Sequence, residues 1–259
     1  MKKTTILTVL LMAAVSTSAQ RKAEPYFTFR ELPNMLKWCP APPDTVGAAF
    51  AYDIMQYMWG KEMRQKDPAR TAIAIRDAVY SLECIMQEFS EPLGLKMSEE
   101  ETPEIYALLS DAKVTCENIS NFPKFYYKRI RPFMRFHEHT ATPQFEPDLR
   151  RNFSYPSGHT ILGWCSALLL SEVNPERADT LLTRGMMYGE SRVIVGAHWQ
   201  SDVDAGRLAA AAAYARMHTS ERFLEQMRRA RQEFRIKTGL ATPEEIKAYN
   251  KKEKKKTKK

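Results

Sequence analysis

The sequence predicts an all-α protein folded as a single-domain helical bundle. Apolar residues recur at helical spacing along most of the chain, and no apolar–polar alternation is long enough to predict a strand. A chain of 259 residues, 44% of them apolar, can bury the core of one full domain. Helices that follow one another without intervening strands favour a bundle over an α/β sheet.

The predicted helices cover most of residues 45–236, which we take as the domain. The first two span 45–59 and 67–89, with Asp67 as the cap of the second and Pro68 in its first turn. A third spans 103–119, and a basic segment at 121–135 is predicted to continue as helix until Pro132 stops it. A long polar loop is expected at 133–153. Four further helices are predicted at 160–171, 176–190, 205–218 and 222–236.

The two ends of the chain differ from this domain. Residues 1–19 have the basic start, short apolar stretch and small residues of a secretory signal peptide, which predicts cleavage after Ala19 and a periplasmic or secreted protein. Residues 20–44 contain five prolines and predict an extended arm laid over the domain. Residues 237–259 are predicted to be a disordered basic tail, since 251–259 hold seven lysines and one glutamate.

Charge at the ends of the chain accounts for its formal net charge of +8. The tail at 251–259 and the signal-peptide lysines Lys2 and Lys3 together carry this charge, so the body is formally neutral. A neutral body argues against a nucleic-acid partner. The mature chain also lacks an apolar stretch of the length that an integral membrane span needs.

The four cysteines are Cys39, Cys84, Cys116 and Cys165. They lie far apart, without the spacing of a tetrahedral zinc site. In an exported chain three complete pairings are open, although Cys165 lies in an apolar stretch and is expected to be a buried free thiol.

Two short runs, 155–160 and 191–202, each hold one histidine. In the first, Ser157 and Gly158 form a turn that leads into a predicted helix, where free backbone N–H groups can bind an anion. In the second, His198 precedes Asp202 by four residues, so the carboxylate can orient the imidazole and make it more basic. We interpret the two runs as parts of a phosphate-handling site.

The basic segment at 121–135 is predicted to supply further cations to this site. It contains Lys124, Lys128, Arg129, Arg131 and Arg135 and no acidic residue. Cations at helical spacing repel each other, so the segment needs an anion or acids from elsewhere, unless it is simply a solvated basic surface. On a continuous helix Lys124 and Arg131 would share one face, two turns apart.

Together these segments match a three-part pattern. Lys124 with Arg131 and Pro132 fits KxxxxxxRP, residues 156–159 fit PSGH, and residues 191–202 fit SRxxxxxHxxxD. The chain thus resembles the type 2 phosphatidic acid phosphatase (PAP2) and vanadium haloperoxidase superfamily. It is most similar to bacterial class A non-specific acid phosphatases, whose longer runs recur at 154–160, 189–194 and 198–204. The resemblance extends more weakly over 40–234.

The resemblance implies a PAP2-type helical fold and a role for each matching residue. His198 would be the nucleophile that forms a phosphohistidine, with Asp202 as its hydrogen-bond acceptor and His159 as the general acid. The phosphate oxygens would be bound by five residues: Lys124, Arg131, Ser157, Gly158 and Arg192. Phe153 departs from the class, which has glycine there, so the loop before it is where we expect substrate preference to be decided.

The expected activity is hydrolysis of small phosphate monoesters, fastest at mildly acidic pH, inhibited by vanadate and independent of metal or other cofactors. His137 and His139 flank Glu138 in the predicted loop, but no third ligand is in register, so no metal site is predicted. A vanadium-dependent haloperoxidase and a non-catalytic phosphoester-binding protein are the alternatives. A homodimer or higher homo-oligomer remains open.

Overall fold

The computed structural model describes residues 21–256, with side chains described up to Lys251. The predicted signal peptide lies outside these residues. Eleven α-helices and three short 3₁₀ turns form within the described part of the chain, and it contains no strand. The all-α prediction is therefore confirmed. The α-helices are α1 Ala48–Lys66, α2 Pro68–Arg76, α3 Leu82–Leu93, α4 Pro103–Tyr127, α5 Pro132–Arg135, α6 Glu146–Arg151, α7 Gly158–Val173, α8 Ala178–Ile194, α9 Gln200–Met217, α10 Glu221–Lys237 and α11 Pro243–Lys256.

Helix α7 is the centre of the bundle and packs against α8, α9, α4 and α10. Its apolar side chains face all directions, which is typical of a helix buried on every side. The helices around α7 can approach it closely only where small residues lie at the contacts. A side chain at Gly163 of α7 would overlap the ring of Tyr188 in α8, and Ala209 and Ala213 of α9 are fully buried. The start of α7 lies close to α9 as well, since a side chain at Gly206 of α9 would meet Ser157 and Thr160 at 2.9 Å.

The predicted helix at 67–89 is wrong in its middle, because the chain forms α2 and α3 with a connector at 77–81 between them. Asp77 is fully buried and binds Arg184 and Ser191 of α8. Ser81 caps α3 by accepting a hydrogen bond from the backbone of Cys84 at 3.0 Å. The tertiary bonds of Asp77 thus interrupt a pattern that is helical on both sides.

The predicted continuous basic helix is also wrong. Helix α4 runs unbroken to Tyr127 and ends where Lys128 adopts a left-handed conformation, with φ of 46°. Arg131 has extended backbone, and Pro132 begins α5 instead of stopping a helix. Lys124 and Arg131 therefore do not share a helix face, and they reach the same region from two separate segments.

Residues 133–153 are not the structureless loop that the sequence predicts. They contain α5, a 3₁₀ turn at Pro143–Phe145 and α6. Glu146 ties the segment together, since its carboxylate accepts hydrogen bonds from the Thr140 backbone at 2.7 Å and from His139 at 3.2 Å. The segment is held both by such polar contacts and by apolar ones, since Phe133 is fully buried and Phe136 stacks on Tyr57. Helical periodicity reveals neither kind of contact.

The two flanks of the domain lie against it. In the arm before α1, Tyr26, Leu32 and Met35 are buried in the main core, and one 3₁₀ turn forms at Met35–Lys37. Beyond Lys237 the structure has α11, where Glu245 pairs with Arg235 at 3.1 Å, and so differs from the disordered tail predicted from 237. The exact domain boundaries stay a prediction.

The four cysteines are free, and Cys165 is buried as predicted. In the stretch from 21 to 256, no helix is both long and apolar enough to cross a membrane.

Candidate active site

The predicted site residues come together where α4, α7, α8 and α9 meet. The backbone N–H of Ser157 bonds the carbonyl of Asp202 at 3.0 Å, which joins the starts of α7 and α9. The backbone of His198 bonds the carbonyl of Arg192 at 3.2 Å, because a turn at Gly196, with φ of 82°, folds the chain back after α8. That left-handed turn favours glycine.

His198 is buried, with 1% of its surface exposed, and both ring nitrogens have partners. Nε2 lies 2.9 Å from Nη1 of Arg131, and Nδ1 lies 3.4 Å from Oδ2 of Asp202 and 3.3 Å from Oγ of Ser154. A guanidinium can only donate, so Nε2 must carry the lone pair and Nδ1 the proton. Burial, then the charges of Arg131 and Lys124, hold the pKa of His198 well below its usual value. The ring is a neutral imidazole with its lone pair on Nε2.

Asp202 is fully buried in the first turn of α9. Oδ2 accepts hydrogen bonds from the backbone of Trp199 at 2.9 Å and from Oγ of Ser154 at 2.5 Å, in addition to its contact with His198. The positive end of the helix dipole also favours a carboxylate in this turn. Asp202 is thus a fixed acceptor for the Nδ1 proton of His198.

Sequence reasoning missed the residues that hold Asp202 from behind. Arg129 donates from Nη1 to Oδ1 of Asp202 and from Nη2 to Oδ2 of Asp53, both at 2.6 Å. Asp53 of α1 is fully buried and also accepts from Ser201 Oγ and the Ser201 backbone at 2.6 and 2.8 Å. The sequence indicated part of this arrangement, because the basic segment at 121–135 has no acidic residue and needs acids from elsewhere in the chain. Nothing local identified Asp53, which lies 76 residues away.

Lys124 and Arg131 are buried cations bound mainly by carbonyl oxygens. Nζ of Lys124 donates to the carbonyls of Phe153 at 3.0 Å and Pro156 at 2.7 Å. Arg131 donates to the carbonyls of Leu149, Asn152, Phe153 and Ala197. Burial, and next the neighbouring arginine charge, lower the pKa of Lys124 to about 7 and that of Arg131 to about 9. Carbonyls orient these cations without cancelling their charge, so the site stays positive.

Arg192 is the most deeply buried cation of the site, with 1% exposure. Its Nε and Nη1 atoms are buried and have no hydrogen-bond partner among the described residues. Burial lowers its pKa to about 10. Buried guanidinium N–H groups without partners are costly, and an anionic oxygen is the acceptor that suits them best.

The turn before α7 completes the anion-binding side. Oγ of Ser157 accepts hydrogen bonds from the backbone and the hydroxyl of Thr160 at 3.3 and 3.0 Å and so caps the helix. A Cβ atom added at Gly158 would meet nothing within 4 Å, so there is open space beside the helix N-terminus. An anion in that space would meet free backbone N–H groups.

His159 is half-buried, and its Nε2 lies 3.1 Å from the carbonyl of Ala78. A carbonyl only accepts, so Nε2 carries a proton and Nδ1 is the nitrogen left for chemistry. Burial, then the charge of Arg192, holds the pKa of His159 well below its usual value. A phosphate dianion beside the ring would act in the opposite direction and favour its protonated form.

Of the two histidines at 137 and 139, His139 bonds Glu146 of its own segment at 3.2 Å. Glu138 accepts from the hydroxyl of Tyr57 and from Lys61, both at 2.6 Å, while the side chain of His139 is 83% exposed. Among residues 21–256 there is no group of three or more histidine, cysteine, aspartate or glutamate side chains that could hold a metal ion.

An all-α bundle with two histidines, a buried carboxylate and three buried cations at a helix N-terminus defines a phosphate-handling protein of the PAP2 class. The family model described as "PAP2 superfamily" matches residues 106–224, which contain all the predicted site residues. A non-specific acid phosphatase of Salmonella typhimurium is 39% identical over 91% of this chain and 93% of its own. A non-specific acid phosphatase of Providencia stuartii is 40% identical over 78% of this chain and 81% of its own. An acid phosphatase of Zymomonas mobilis is 31% identical over 93% of this chain and 90% of its own. The chain belongs to the PAP2 superfamily and, within it, to the family of non-specific acid phosphatases.

Proposed function

We propose that the protein is an exported acid phosphatase of broad specificity that hydrolyses phosphate monoesters through a phosphohistidine, without a metal ion. Its family membership supports phosphatase activity as such. The observation that carries the finer proposal is the placement of the His198 ring, with Nε2 2.9 Å from Nη1 of Arg131 and Nδ1 3.4 Å from Oδ2 of Asp202. This placement leaves the lone pair on Nε2, in a positively charged pocket. Residues 1–19, with the composition of a signal peptide, support export.

In the first step, the phosphoryl group lies among Lys124, Arg131, Arg192 and the N-terminus of α7. Nε2 of His198 attacks phosphorus, forming a P–N bond as the P–O bond to the alcohol breaks. Nδ1 of protonated His159 gives its proton to the departing oxygen, which would otherwise leave as an alkoxide. Asp202 stabilises the positive charge that develops on the His198 ring through the Nδ1 proton.

In the second step, water attacks the phosphohistidine. Nδ1 of His159 takes a proton from this water as its oxygen bonds to phosphorus, and the P–N bond breaks. The electron pair returns to Nε2 of His198, and inorganic phosphate leaves. His159 is then protonated again and the cycle is closed.

Positive charge supplies most of the catalysis in this proposal. Uncatalysed hydrolysis of phosphate monoesters is so slow that enzymes accelerate it by up to about 10²¹-fold. Fixed cations that meet the equatorial oxygens in a site shielded from water are a large source of such stabilisation. Lys124 and Arg131 fit this role because backbone carbonyls hold them in place and no carboxylate bonds to either of them among the contacts described.

Trapping the intermediate tests the proposal directly. Wild-type enzyme incubated with a ³²P-labelled phosphate monoester in the presence of a chelator, then quenched rapidly, should carry label that is stable in alkali and lost in acid. His198→Ala protein should carry none. Label on the His198→Ala protein, or turnover that chelator abolishes, would contradict the proposal.

The same preparations separate the alternatives. A non-catalytic phosphoester-binding protein would bind phosphate and release none from an aryl phosphate. A haloperoxidase would oxidise bromide with hydrogen peroxide once vanadate is added, whereas in the proposed phosphatase vanadate should only inhibit. The N-terminal sequence of the protein recovered from its native host tests export, with Gln20 expected as the first residue.

A further inference from the structure

The connector at 77–81 lies on the His159 side of the site. The carbonyl of Ala78 accepts the hydrogen bond from Nε2 of His159 at 3.1 Å. Two residues later, the ring of Tyr80 contacts the His159 ring edge-on, with 4.8 Å between the centroids. Tyr80 remains 39% exposed, so an aromatic surface faces solvent directly beside the proposed general acid.

The position of Tyr80 is fixed from several directions. Its hydroxyl donates to Oε1 of Glu117 at 3.1 Å, and Nζ of Lys113 lies 5.1 Å from the ring centroid. Lys113 and Glu117 are themselves paired at 2.6 Å on α4. The connector is anchored at its start by Asp77, whose carboxylate is bound by Ser191 at 2.6 Å. Tyr80 is thus a positioned ring rather than a mobile surface side chain.

Exposed aromatic residues also occur on the other side of the site. Phe125 is 66% exposed and contacts Phe153 edge-on at 6.0 Å, and the carbonyl of Phe153 binds Lys124. In an in-line displacement the leaving oxygen departs opposite the attacking nitrogen of His198. That oxygen must therefore lie beside His159, which protonates it. Tyr80, unlike Phe125, contacts His159 and so lies where the rest of the alcohol emerges.

We propose that Tyr80 is a binding platform for the leaving alcohol and that it favours phosphate monoesters whose alcohol carries a planar ring, such as nucleoside monophosphates. The inference rests on the proposed function, in particular on His159 as the general acid. A ring stacked on tyrosine gains contact area and a favourable offset geometry, and such stacking tolerates different ring types. Tyr80 would add a preference to a site that otherwise binds only the phosphoryl group.

The test compares a nucleoside 5′-monophosphate with ribose 5-phosphate. In both substrates the leaving group is the primary 5′-alkoxide of ribose, so both need the same proton transfer from His159. The two substrates differ in the planar nucleobase, which ribose 5-phosphate lacks. For Tyr80→Ala, kcat/KM for the nucleotide should fall roughly 5- to 20-fold, mainly through KM, in line with the loss of one stacking contact. The value for ribose 5-phosphate should stay within about twofold. Tyr80→Phe, which keeps the ring and loses the Glu117 bond, should retain the preference.

Matched exposed aromatic residues provide the controls. Tyr126→Ala, 63% exposed on α4, should leave both substrates unchanged. An equal loss for both substrates in Tyr80→Ala would mean that Tyr80 only orients His159 and would overturn the inference. So would a selective loss in Phe125→Ala without one in Tyr80→Ala. If wild-type enzyme hydrolyses neither substrate, the proposed function itself fails, an outcome that is distinct from hydrolysis of both without an effect of Tyr80.

Discussion

The two histidines of the site are held in opposite ways. His198 is 1% exposed, has polar partners on both ring nitrogens, and depends on Asp202, which Arg129 and Asp53 hold in turn. His159 is half-buried, and its polar contact within the described residues is one bond to a backbone carbonyl, beside a partly exposed tyrosine. One side of the site is a rigid network of buried charges, and the other is open.

This difference fits two chemical tasks. The group that the nucleophile attacks, the phosphoryl group, is the same in every substrate. A fixed geometry of the nucleophile is therefore of benefit for all of them. A general acid meets a different alcohol in each substrate, so its surroundings must leave room. The broad specificity that we propose then requires no flexible pocket, because variation among substrates is confined to the His159 side.

Removing the proposed nucleophile, His198, should have the largest effect. We expect His198→Ala to lower kcat for an aryl phosphate by about 10⁴-fold or more, since the P–N bond cannot form. The measurement is phosphate release under single-turnover conditions. His218→Ala is the matched control, since this histidine lies outside the site and pairs with Glu172; it should keep wild-type activity. A His198→Ala protein with wild-type activity and an unchanged melting temperature would disprove the assignment.

Removing the proposed general acid, His159, should have a smaller effect that depends on the substrate. For an alkyl phosphate we expect His159→Ala to lower kcat by about 10²- to 10⁴-fold, the usual contribution of proton transfer. For an aryl phosphate with a strongly acidic phenol the loss should be much smaller, because that leaving group departs without a proton. A plot of log kcat against the pKa of the leaving group should therefore be steeper for the variant. Parallel plots would show that His159 does not donate the proton.

The network behind Asp202 should matter for both stability and rate. Arg129→Met leaves Asp53 and Asp202 buried without their shared cation, and breaking a buried pair in this way costs about 3–5 kcal/mol. We expect a lower urea midpoint and, for the protein that remains folded, a roughly 10- to 100-fold lower kcat, as for other residues that orient a reacting group.

Arg129→Lys separates the two effects. Lysine restores one positive charge but cannot reach Asp53 and Asp202 with two parallel donors. It should recover much of the stability and less of the rate. Full recovery of both would mean that the charge alone matters, contrary to the orienting role drawn from the two 2.6 Å bonds.

The sequence predicted which residues meet at the site better than it predicted how they are held there. His198, His159 and Arg192 were found because each belongs to a short motif whose spacing reflects local geometry. Lys124 was found through the wider KxxxxxxRP pattern, although it and Arg131 lie on separate segments. Arg129 and Asp53 were not paired, because their contact joins α1 to the segment after α4 and leaves no local pattern. The need for a distant acid could be predicted, whereas its identity could not.

The errors in the fold have the same origin. Helical periodicity continues across 77–81, but the buried bonds of Asp77 to α8 break the helix there. Local propensity does not include such tertiary bonds. Tyr80 consequently looked like one more residue of a helix. Its place beside His159 follows from the break and could be recognised only in the structure.

The smallest expected effect concerns pH and Lys124, which lies between the two sides. Burial, then the charge of Arg131, lowers the pKa of this lysine to about 7, so in free enzyme it loses its charge as the pH rises through neutrality. The protonated fraction of His159 falls already at lower pH, since its pKa is held well below the usual value. We expect kcat/KM to decline as the pH rises and to decline more steeply above about 7, where phosphate binding loses a cation.

Lys124→Arg should lower kcat/KM only a few-fold at acidic pH, because the guanidinium fits less well between two carbonyls. It should also remove the steeper decline, because arginine stays charged. Titration of the substrate is the same for both enzymes, so the ratio of their pH profiles reports residue 124 alone. A ratio that does not change between pH 5 and 9 would show that Lys124 remains charged throughout, and the decline in activity would then belong to the His159 side.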